Sequence, residues 1–167
     1  MKRLTVLFAS FLAFWLLGAS VAVAVPIHIQ RFSSVVDVHH DGSIVVEEKL
    51  LVRTVAGGHG IFRDIPVVTR WREQGRASMQ VLHVSIDGND RPANDIERNG
   101  NIVRVYQRDK HNALAPGMHE FVLRYAMTGQ VGMFDANDEL TWNVTGHEWE
   151  HAIESADCLV LCPKGAG

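Results

Sequence analysis

The stretch VDVHHDGSIVVEEKLLVRT, residues 36–54, predicts the fold of this chain of 167 residues. Asp41 and Gly42 form a dipeptide typical of the tight turn between two antiparallel strands. Before the turn, Phe32, Val36 and Val38 share one face of an alternating run. After it, apolar residues lie on one face and charged residues on the other: Ile44, Val46, Leu50 and Val52 against Glu47, Lys49 and Arg53. A period of two indicates strands buried on one face, so the two runs predict a β-hairpin.

The same alternation recurs along the rest of the chain. It appears in SMQVLHVSI, NIVRVYQ, HEFVLRYAM and ELTWNV, which are separated by turn dipeptides such as Asp87-Gly88 and Asn99-Gly100. About seven short strands with turn signals every 10 to 20 residues or so are typical of an antiparallel β-sandwich. We therefore predict a mainly β fold, with residues 25–167 forming one β-sandwich domain.

The segment VTGHEWEHAIESAD, residues 144–157, departs from this pattern. Residues 147–156 contain no Gly or Pro, and Thr145 followed by Glu148 resembles a capping box, so we predict one short helix or helical turn over 147–156. On such a helix His147, Glu148 and His151 form the H-E-x-x-H spacing of zinc peptidases, in which the histidines bind zinc and the glutamate acts as base. In one group of zinc peptidases the pattern continues as H-E-x-x-H-x-x-G-x-x, followed by His or occasionally Asp as the third metal ligand. Asp157 stands at the position of that third ligand.

Two observations argue against a zinc site. That longer pattern has a Gly where this chain has Glu154, and the Gly allows the helix to end in a left-handed turn that positions the last ligand. The competing interpretation places Trp149 and Ile153 inward on a short amphipathic turn whose other face is solvated. We therefore predict that the protein is not an enzyme and has no metal and no cofactor. The alternative is a small zinc-dependent hydrolase or peptidase.

In that alternative, His147, His151 and Asp157 hold the zinc ion and Glu148 is the catalytic base.

The first 24 residues have the order of a secretory signal peptide. Lys2 and Arg3 precede an apolar run that ends in Ala22 and Ala24, which form an A-x-A cleavage site. The apolar run is also long enough to cross a bilayer core of about 30 Å as a helix, so an uncleaved anchor is the alternative. Both interpretations predict export, with the remainder at the outer face of the cytoplasmic membrane, in the periplasm or outside the cell.

The charge of the chain excludes one class of partner. It carries 16 Lys and Arg against 19 Asp and Glu, a formal net charge of −3. Lys2 and Arg3 belong to the leader, so the exported part is more acidic still. Nucleic acid binding requires clustered basic residues that displace counterions, and we therefore exclude nucleic acid as a partner.

Both cysteines lie in DCLVLCPKG, whose alternation predicts a strand. Four residues along a strand span about 13 Å, beyond the roughly 4.4 to 6.8 Å between Cα atoms that a disulfide tolerates. In a strand, Cys158 and Cys162 would therefore be two small apolar residues facing one core and not a bonded pair. If the preceding helix instead continued through them, they would lie one turn apart.

Several blocks in order give the chain a family resemblance. VDVHHDGSIVVEEKLLV, GGHGIFRDIPV, APGMHEFVLRYAMTGQVGMFDANDELTWNVTGHEW and DCLVLCP resemble the N-terminal domain of the domain-of-unknown-function family 2207, described as predicted membrane proteins. The resemblance extends over nearly all of the chain after the leader. It implies an exported β-rich domain followed by transmembrane helices, and it implies no established biochemical activity. The chain ends where the family continues toward its membrane segments, so we expect a shortened or split product.

The resemblance also selects candidate binding residues. Trp142, Asn143, Gly146 and Trp149 match family positions whose role is unknown, whereas the family does not require the two histidines of the zinc alternative.

Arg63 is a further candidate, in the Gly-rich stretch GGHGIFRDIP. We predict that it lies on a loop, where its guanidinium either anchors an anion or carboxylate or pairs with Asp64, Asp135 or Asp138 to pin the loop. We favour the structural pairing.

The residues and the resemblance together predict an exported, membrane-associated module that binds or scaffolds at the cell envelope. The membrane is a partner through the N-terminal segment or through a missing C-terminal part. An envelope protein or a carbohydrate is a further expected partner.

Overall fold

The computed structural model describes residues 27–55, 58–68, 71, 75–146, 149 and 151–165. The leader over residues 1–24, with its predicted helix, lies outside them. The described part is mainly β, as predicted, and none of it forms a helix that could cross a membrane. Its strands are β1 His28–Val38, β2 Ile44–Thr54, β3 Gly60–Pro66, β4 Ser78–Ile86, β5 Asn89–Asp90, β6 Ile96–Asn99, β7 Ile102–Arg108, β8 Gly117–Thr128, β9 Val131–Met133, β10 Asp138–Leu140 and β11 Ala156–Leu161.

These strands form three sheets. The largest has the order β11-β1-β2-β8-β4-β5, a second has the order β3-β7-β6, and β9 pairs with β10. The predicted hairpin is confirmed, because β1 and β2 pair antiparallel with Val38 opposite Ile44. The prediction of a purely antiparallel fold is wrong at one edge, where β11 runs parallel to β1. Parallel strands cannot be joined by a tight turn, and here the nine described strands β2 to β10 lie between β1 and β11 along the chain.

The alternating faces predicted from the sequence form the core. The inward-facing apolar residues of β2 and β8 are fully or almost fully buried, including Ile44, Leu50, Phe121 and Leu123. Ile65 on β3 and Val105 on β7 belong to the same buried cluster as Val46 on β2. The six-stranded and three-stranded sheets therefore share a core.

The helix predicted over residues 147–156 is absent from the described residues of that range. Ile153 forms a parallel bridge with Ile29, and Ala156 is the first residue of β11. The Ile29 N–H donates to the Ala152 carbonyl, and the Glu154 N–H donates to the Ile29 carbonyl. Pairing with β1 thus satisfies the backbone groups that a helix would have satisfied locally, and tertiary context overrides the helical propensity.

Two further expectations need correction. GGHGIFRDIP does not form a loop, because Gly60–Pro66 is strand β3 and Arg63 occupies one of its inward positions. The stretch ELTWNV is extended only as far as Leu140, where β10 ends.

The strand predicted around the cysteines is confirmed as β11, but its predicted burial is wrong. All six residues of β11 are exposed, and Cys158 and Cys162 are exposed free thiols. The reason is position, because β11 is an edge strand with a neighbouring strand on one side only.

Candidate functional site

A buried ion pair connects the two larger sheets. Arg63 points inward from β3 and is 3% exposed, while Glu48 points inward from β2 and is 0% exposed. The Arg63 Nε donates to Glu48 Oε2 at 2.9 Å, and Nη2 donates to Glu48 Oε1 at 3.1 Å. This parallel two-bond arrangement is the strongest geometry available to an arginine and a carboxylate. The partner is therefore Glu48, and the predicted partners Asp64, Asp135 and Asp138 are wrong.

The hydrogen bond between Asp64 and Arg63 uses the backbone of Asp64 and not its carboxylate. The Asp64 carbonyl oxygen accepts from Arg63 Nη1 at 3.1 Å, whereas the Asp64 carboxylate accepts two hydrogen bonds of 2.7 Å from Arg104. Neighbouring residues on a strand face opposite sides of the sheet, so the side chains of Arg63 and Asp64 diverge.

Three aromatic rings complete the surroundings of the pair. The Tyr125 hydroxyl donates to Glu48 Oε1 at 2.8 Å. The Arg63 Cζ lies 5.7 Å from the ring centroid of Phe32 and 5.4 Å from that of Trp149, within the range of cation–π attraction. We name these five residues, Phe32, Glu48, Arg63, Tyr125 and Trp149, the Arg63 cluster.

The electrostatics of the cluster keep the arginine charged. Burial lowers the pKa of Arg63, but the charge and hydrogen bonds of Glu48 outweigh burial and leave the pKa above its ordinary value. Burial, reinforced by the negative charge of Glu48, raises the pKa of Tyr125 well above the usual tyrosine value. The phenol therefore stays protonated and remains a hydrogen-bond donor to Glu48.

The segment after β10 brings the family positions to this cluster. Gly146 has a φ of +78° and lies against the guanidinium of Arg63. The Trp149 Nε1 donates to the Thr145 carbonyl at 2.7 Å, which fixes the ring that contacts Arg63. The Asn143 Oδ1 accepts from the Gly146 N–H at 3.1 Å and so closes the turn. Arg63, Asn143, Gly146 and Trp149, selected separately from the sequence, thus lie together.

Trp142 lies on the other side of the same turn. Its ring centroid is 6.4 Å from that of Tyr125, and it packs against the buried cluster shared by the six-stranded and three-stranded sheets. It also lines a small cavity beside Arg63, Tyr125 and Gly146. That cavity has a volume of about 50 Å³, whereas small-molecule sites occupy about 300 to 1,000 Å³. The arrangement suits packing around a charged pair better than binding a substrate.

Two of the four residues of the zinc alternative, His151 and Asp157, lie in the described part of the chain. His147 and Glu148 lie outside the described residues. Asp157 lies on β11, where its Oδ1 accepts from Arg31 Nε at 2.9 Å and from the Ser33 hydroxyl at 3.0 Å. These two hydrogen bonds hold the pKa of the Asp157 carboxyl below its usual value. Within the described ranges, no three His, Cys, Asp or Glu side chains converge as metal ligands.

A second titratable pair lies at the turn between β4 and β5. The Asp87 Oδ2 is 2.7 Å from His119 Nδ1, and the Ala115 carbonyl oxygen is 2.7 Å from His119 Nε2. Both ring nitrogens therefore face acceptors, and only the protonated imidazole donates to both. The hydrogen bond to Asp87, followed by the bond to Ala115, raises the pKa of His119. Burial raises the pKa of Asp87, but the hydrogen bonds from His119 and from the Glu120 N–H outweigh it and lower that pKa.

This pair predicts a pH dependence of stability. Because the pKa of His119 is higher in the folded protein, its contribution is complete below the unfolded value of about 6.5 and is lost as pH rises through the folded value. The contribution of Asp87 is lost as pH falls through its lowered pKa. We expect about 1 kcal/mol, because Asp87 is partly exposed and screened. The free energy of unfolding should fall more between pH 6 and pH 9 for the wild type than for His119→Gln. Equal decreases for the two proteins would contradict a charged His119 paired with Asp87.

The edge strand β11 forms the most exposed apolar surface among the described strands. Leu159, Val160 and Leu161 are 55%, 44% and 43% exposed. The opposite edge of the same sheet is shortened to the two residues of β5. Short edges, prolines and charges prevent pairing with other chains, and β11 has none of these between Cys158 and Leu161.

A groove adjoins the end of β11. It has a volume of about 330 Å³ and is lined by residues of the β1–β2 turn, of β9 and β10, and of the end of β11, including His39, Met133, Val160 and Cys162. The groove is lined by both apolar and polar groups. It lies next to the exposed surface of β11 and extends beyond Leu161.

These elements define a mainly β domain with a mixed six-stranded sheet, a buried interlayer ion pair and an open edge strand. The chain belongs to the family described as Predicted membrane protein (DUF2207) N-terminal domain, whose model matches residues 28–167. This match confirms the family resemblance of the sequence. A comparison with curated proteins gives no match.

Two solved structures illustrate distant likenesses to this chain. An M1 zinc metallopeptidase from Deinococcus radiodurans matches with 15% identity and a TM-score of 0.39, over 62% of this chain and 21% of that chain. The native yeast LTA4 hydrolase matches with 10% identity and a TM-score of 0.40, over 60% of this chain and 14% of that chain. The chain thus spans about a fifth or less of these proteins, and likenesses at this level carry no inference about its chemistry.

Proposed function

We propose that this chain is an exported, membrane-associated β-sandwich module that scaffolds proteins at the cell envelope by accepting a partner strand at β11. The observation that carries the proposal is the open apolar edge formed by Leu159, Val160 and Leu161. An edge strand offers unpaired backbone N–H and C=O groups, and an extended segment of a partner satisfies them by adding a strand to the sheet. The alternating side chains of β11 then supply apolar contacts on both faces.

The location has separate support. The family is described as a predicted membrane protein domain, and the signal-like leader accounts for export. Export places the edge strand in a compartment where partners are other envelope proteins. An extended protein segment suits this surface better than a carbohydrate, because the aromatic rings that stack on sugars, those of Trp142 and Trp149, are occupied with Tyr125 and Arg63.

The geometry favours scaffolding over catalysis. The ion pair at the interface of the sheets is buried, and the members of the Arg63 cluster are engaged with one another. Asp157, a ligand in the zinc alternative, is bound to Arg31 and Ser33. No observation in the described residues favours a hydrolase as a second function.

Position-specific photo-crosslinking in living cells tests the edge site. A photoreactive amino acid replaces Leu159 in the full chain, and the matched control replaces Ile102, an exposed apolar residue on β7 with 39% exposure. We expect crosslinks to protein from position 159 and few from position 102, because only position 159 lies on an open edge. Equal crosslinking from the two positions, or none from position 159, would contradict strand addition at β11.

The two exposed cysteines test the location in the same cells. After treatment with a membrane-impermeant reductant, a membrane-impermeant maleimide should label Cys158 and Cys162 in intact cells. The membrane fraction should contain the labelled chain. Labelling that appears only after cell lysis would contradict export.

A further inference from the structure

The two cysteines at β11 are symmetric about one residue, with Cys158 on the strand and Cys162 directly after its last residue, Leu161. Cys158 and Cys162 are each two residues from Val160, so all three side chains share one face of the strand. Both thiols are exposed and free. Because four residues along the strand separate them by about 13 Å, they cannot bond to each other while β11 is extended.

The backbone of β11 fixes which residues are available for pairing. The Phe32 N–H donates to the Ser155 carbonyl, so the backbone groups of Ser155 point toward β1. Along a strand, alternate residues direct their N–H and C=O groups to the same side, so residues 157, 159 and 161 also point toward β1. The groups of Cys158, Val160 and Cys162 therefore point to the open edge.

We propose that two copies of this chain pair antiparallel through β11, about a two-fold axis at Val160, and are linked by disulfides between Cys158 and the partner's Cys162. In this register Val160 faces the partner's Val160, and each Cys158 faces the partner's Cys162. Directly opposed residues that exchange backbone hydrogen bonds have Cα atoms about 5.5 Å apart, at the most frequent separation for a disulfide. The interface is self-complementary, as a two-fold dimer requires.

Charge complementarity supports the same orientation. Glu154 lies at the beginning of the edge segment and Lys164 lies at its end, while the charge of Asp157 is already paired with Arg31. Antiparallel pairing brings the Lys164 end of each copy to the acidic end of the other, whereas parallel pairing would superpose like charges. The exposed Leu159 and Leu161 become opposed across the pair and bury one another.

The covalent step is a thiol–disulfide exchange with a small disulfide such as oxidised glutathione. The thiolate of Cys158 attacks one sulfur of the small disulfide and releases one thiol molecule. The thiolate of the partner's Cys162 then attacks Cys158 in this mixed disulfide and releases the second thiol molecule. Each link thus oxidises two cysteines and reduces one small disulfide. Burial raises the pKa of Cys158, so the exchange is expected to be faster in mildly alkaline solution.

The dimer rests on the proposed function, because it uses the same edge and needs an exported location, where disulfides persist. The experiment uses the full chain in cells, with free thiols trapped by alkylation before electrophoresis without reductant. We expect a wild-type dimer that reductant dissociates. Cys158→Ser alone and Cys162→Ser alone should each lose it, because each opposed pair then lacks one sulfur. Co-expression of the two variants with different tags should restore a mixed dimer, because Cys158 of one copy then faces Cys162 of the other.

The alternatives give different results. A dimer of either variant alone, at the wild-type level, would show another register or random oxidation and would overturn the inference. A monomeric wild type would also overturn it, whether its thiols are free or joined in an internal disulfide. If the chain is monomeric while position 159 crosslinks to a different protein, the edge site of the proposed function stands and the dimer is refuted. Purified full chain in detergent, treated with oxidised glutathione, repeats the test without other proteins.

Discussion

Replacing Arg63 with alanine is expected to destabilise the protein by about 3 to 5 kcal/mol, because the substitution leaves the carboxylate of Glu48 buried without its charged partner. Glu48 is 0% exposed, and the Tyr125 hydroxyl would be its one remaining side-chain donor among the described residues. Domains of this size have free energies of unfolding of about 5 to 15 kcal/mol, so the variant would lose a large fraction of its stability. Pulse proteolysis of the full chain in increasing urea measures the loss.

Arg31 provides a matched control for this prediction. Its Nε donates to Asp157 Oδ1 at 2.9 Å, the same length as the bond from Arg63 Nε to Glu48 Oε2. The two side chains of the control pair are, however, 62% and 54% exposed. An exposed ion pair contributes about 0 to 1 kcal/mol, so Arg31→Ala should change stability little. Similar losses for the two variants would show that burial does not determine the effect.

A double substitution separates the charge from the volume. In Glu48→Gln with Arg63→Met, both charges are removed and the glutamine oxygen still accepts from the Tyr125 hydroxyl. Replacing a buried ion pair by uncharged residues of similar volume is often neutral or stabilising. We therefore expect the double variant to be more stable than Arg63→Met alone, which fills the same volume but leaves the carboxylate of Glu48 buried without a charged partner. A double variant no more stable than Arg63→Met would show that the unpaired charge of Glu48 does not cause the loss.

The alternation of apolar and polar residues was sufficient to predict the hairpin and the central strands, because register and burial along a strand follow from a period of two. The same alternation contained a signal for Glu48 that was missed. Glu48 stands between Val46 and Leu50 on the inward face of β2, where a carboxylate requires a buried partner. Arg63 occupies the corresponding inward position between Ile61 and Ile65 on β3. Two opposite charges at inward positions of two strands predict an interlayer pair.

Other features were not accessible from local sequence. In the described part of residues 147–156, the helical propensity was overridden at Ala152 and Glu154 by hydrogen bonds with Ile29, more than a hundred positions earlier in the chain. The exposure of Cys158 likewise depends on which strand lies at the edge of the sheet, and β11 reaches that edge by pairing parallel with β1. An alternating pattern predicts which residues share a face, but it does not predict whether another sheet covers that face.

Gly146→Ala is the second substitution with a large expected effect, about 2 to 4 kcal/mol. Its φ of +78° lies in the left-handed region, where a side chain costs about 1 to 2 kcal/mol. An added Cβ would also lie 2.9 Å from Arg63 Nη2 and 3.0 Å from Cζ. The end of an arginine usually moves away at little cost. Here two hydrogen bonds to Glu48 and the rings of Phe32 and Trp149 hold it, so the contact must break part of the cluster.

A comparison with Gly88 separates the backbone cost of this substitution from its steric cost. The φ of Gly88 is +74°, close to that of Gly146, but an added Cβ would meet nothing within 4 Å. Gly88→Ala should therefore show the backbone cost alone, about 1 to 2 kcal/mol. The excess for Gly146→Ala should disappear when the substitution is made together with Glu48→Gln and Arg63→Met, because the flexible methionine can yield to the methyl group. Contacting residues show coupling energies of about 0.5 to 3 kcal/mol. Purely additive effects would show that Gly146 and the Arg63 cluster contribute to stability independently. A measured coupling would instead explain why glycine occupies this family position: it leaves room for the guanidinium that joins the two sheets.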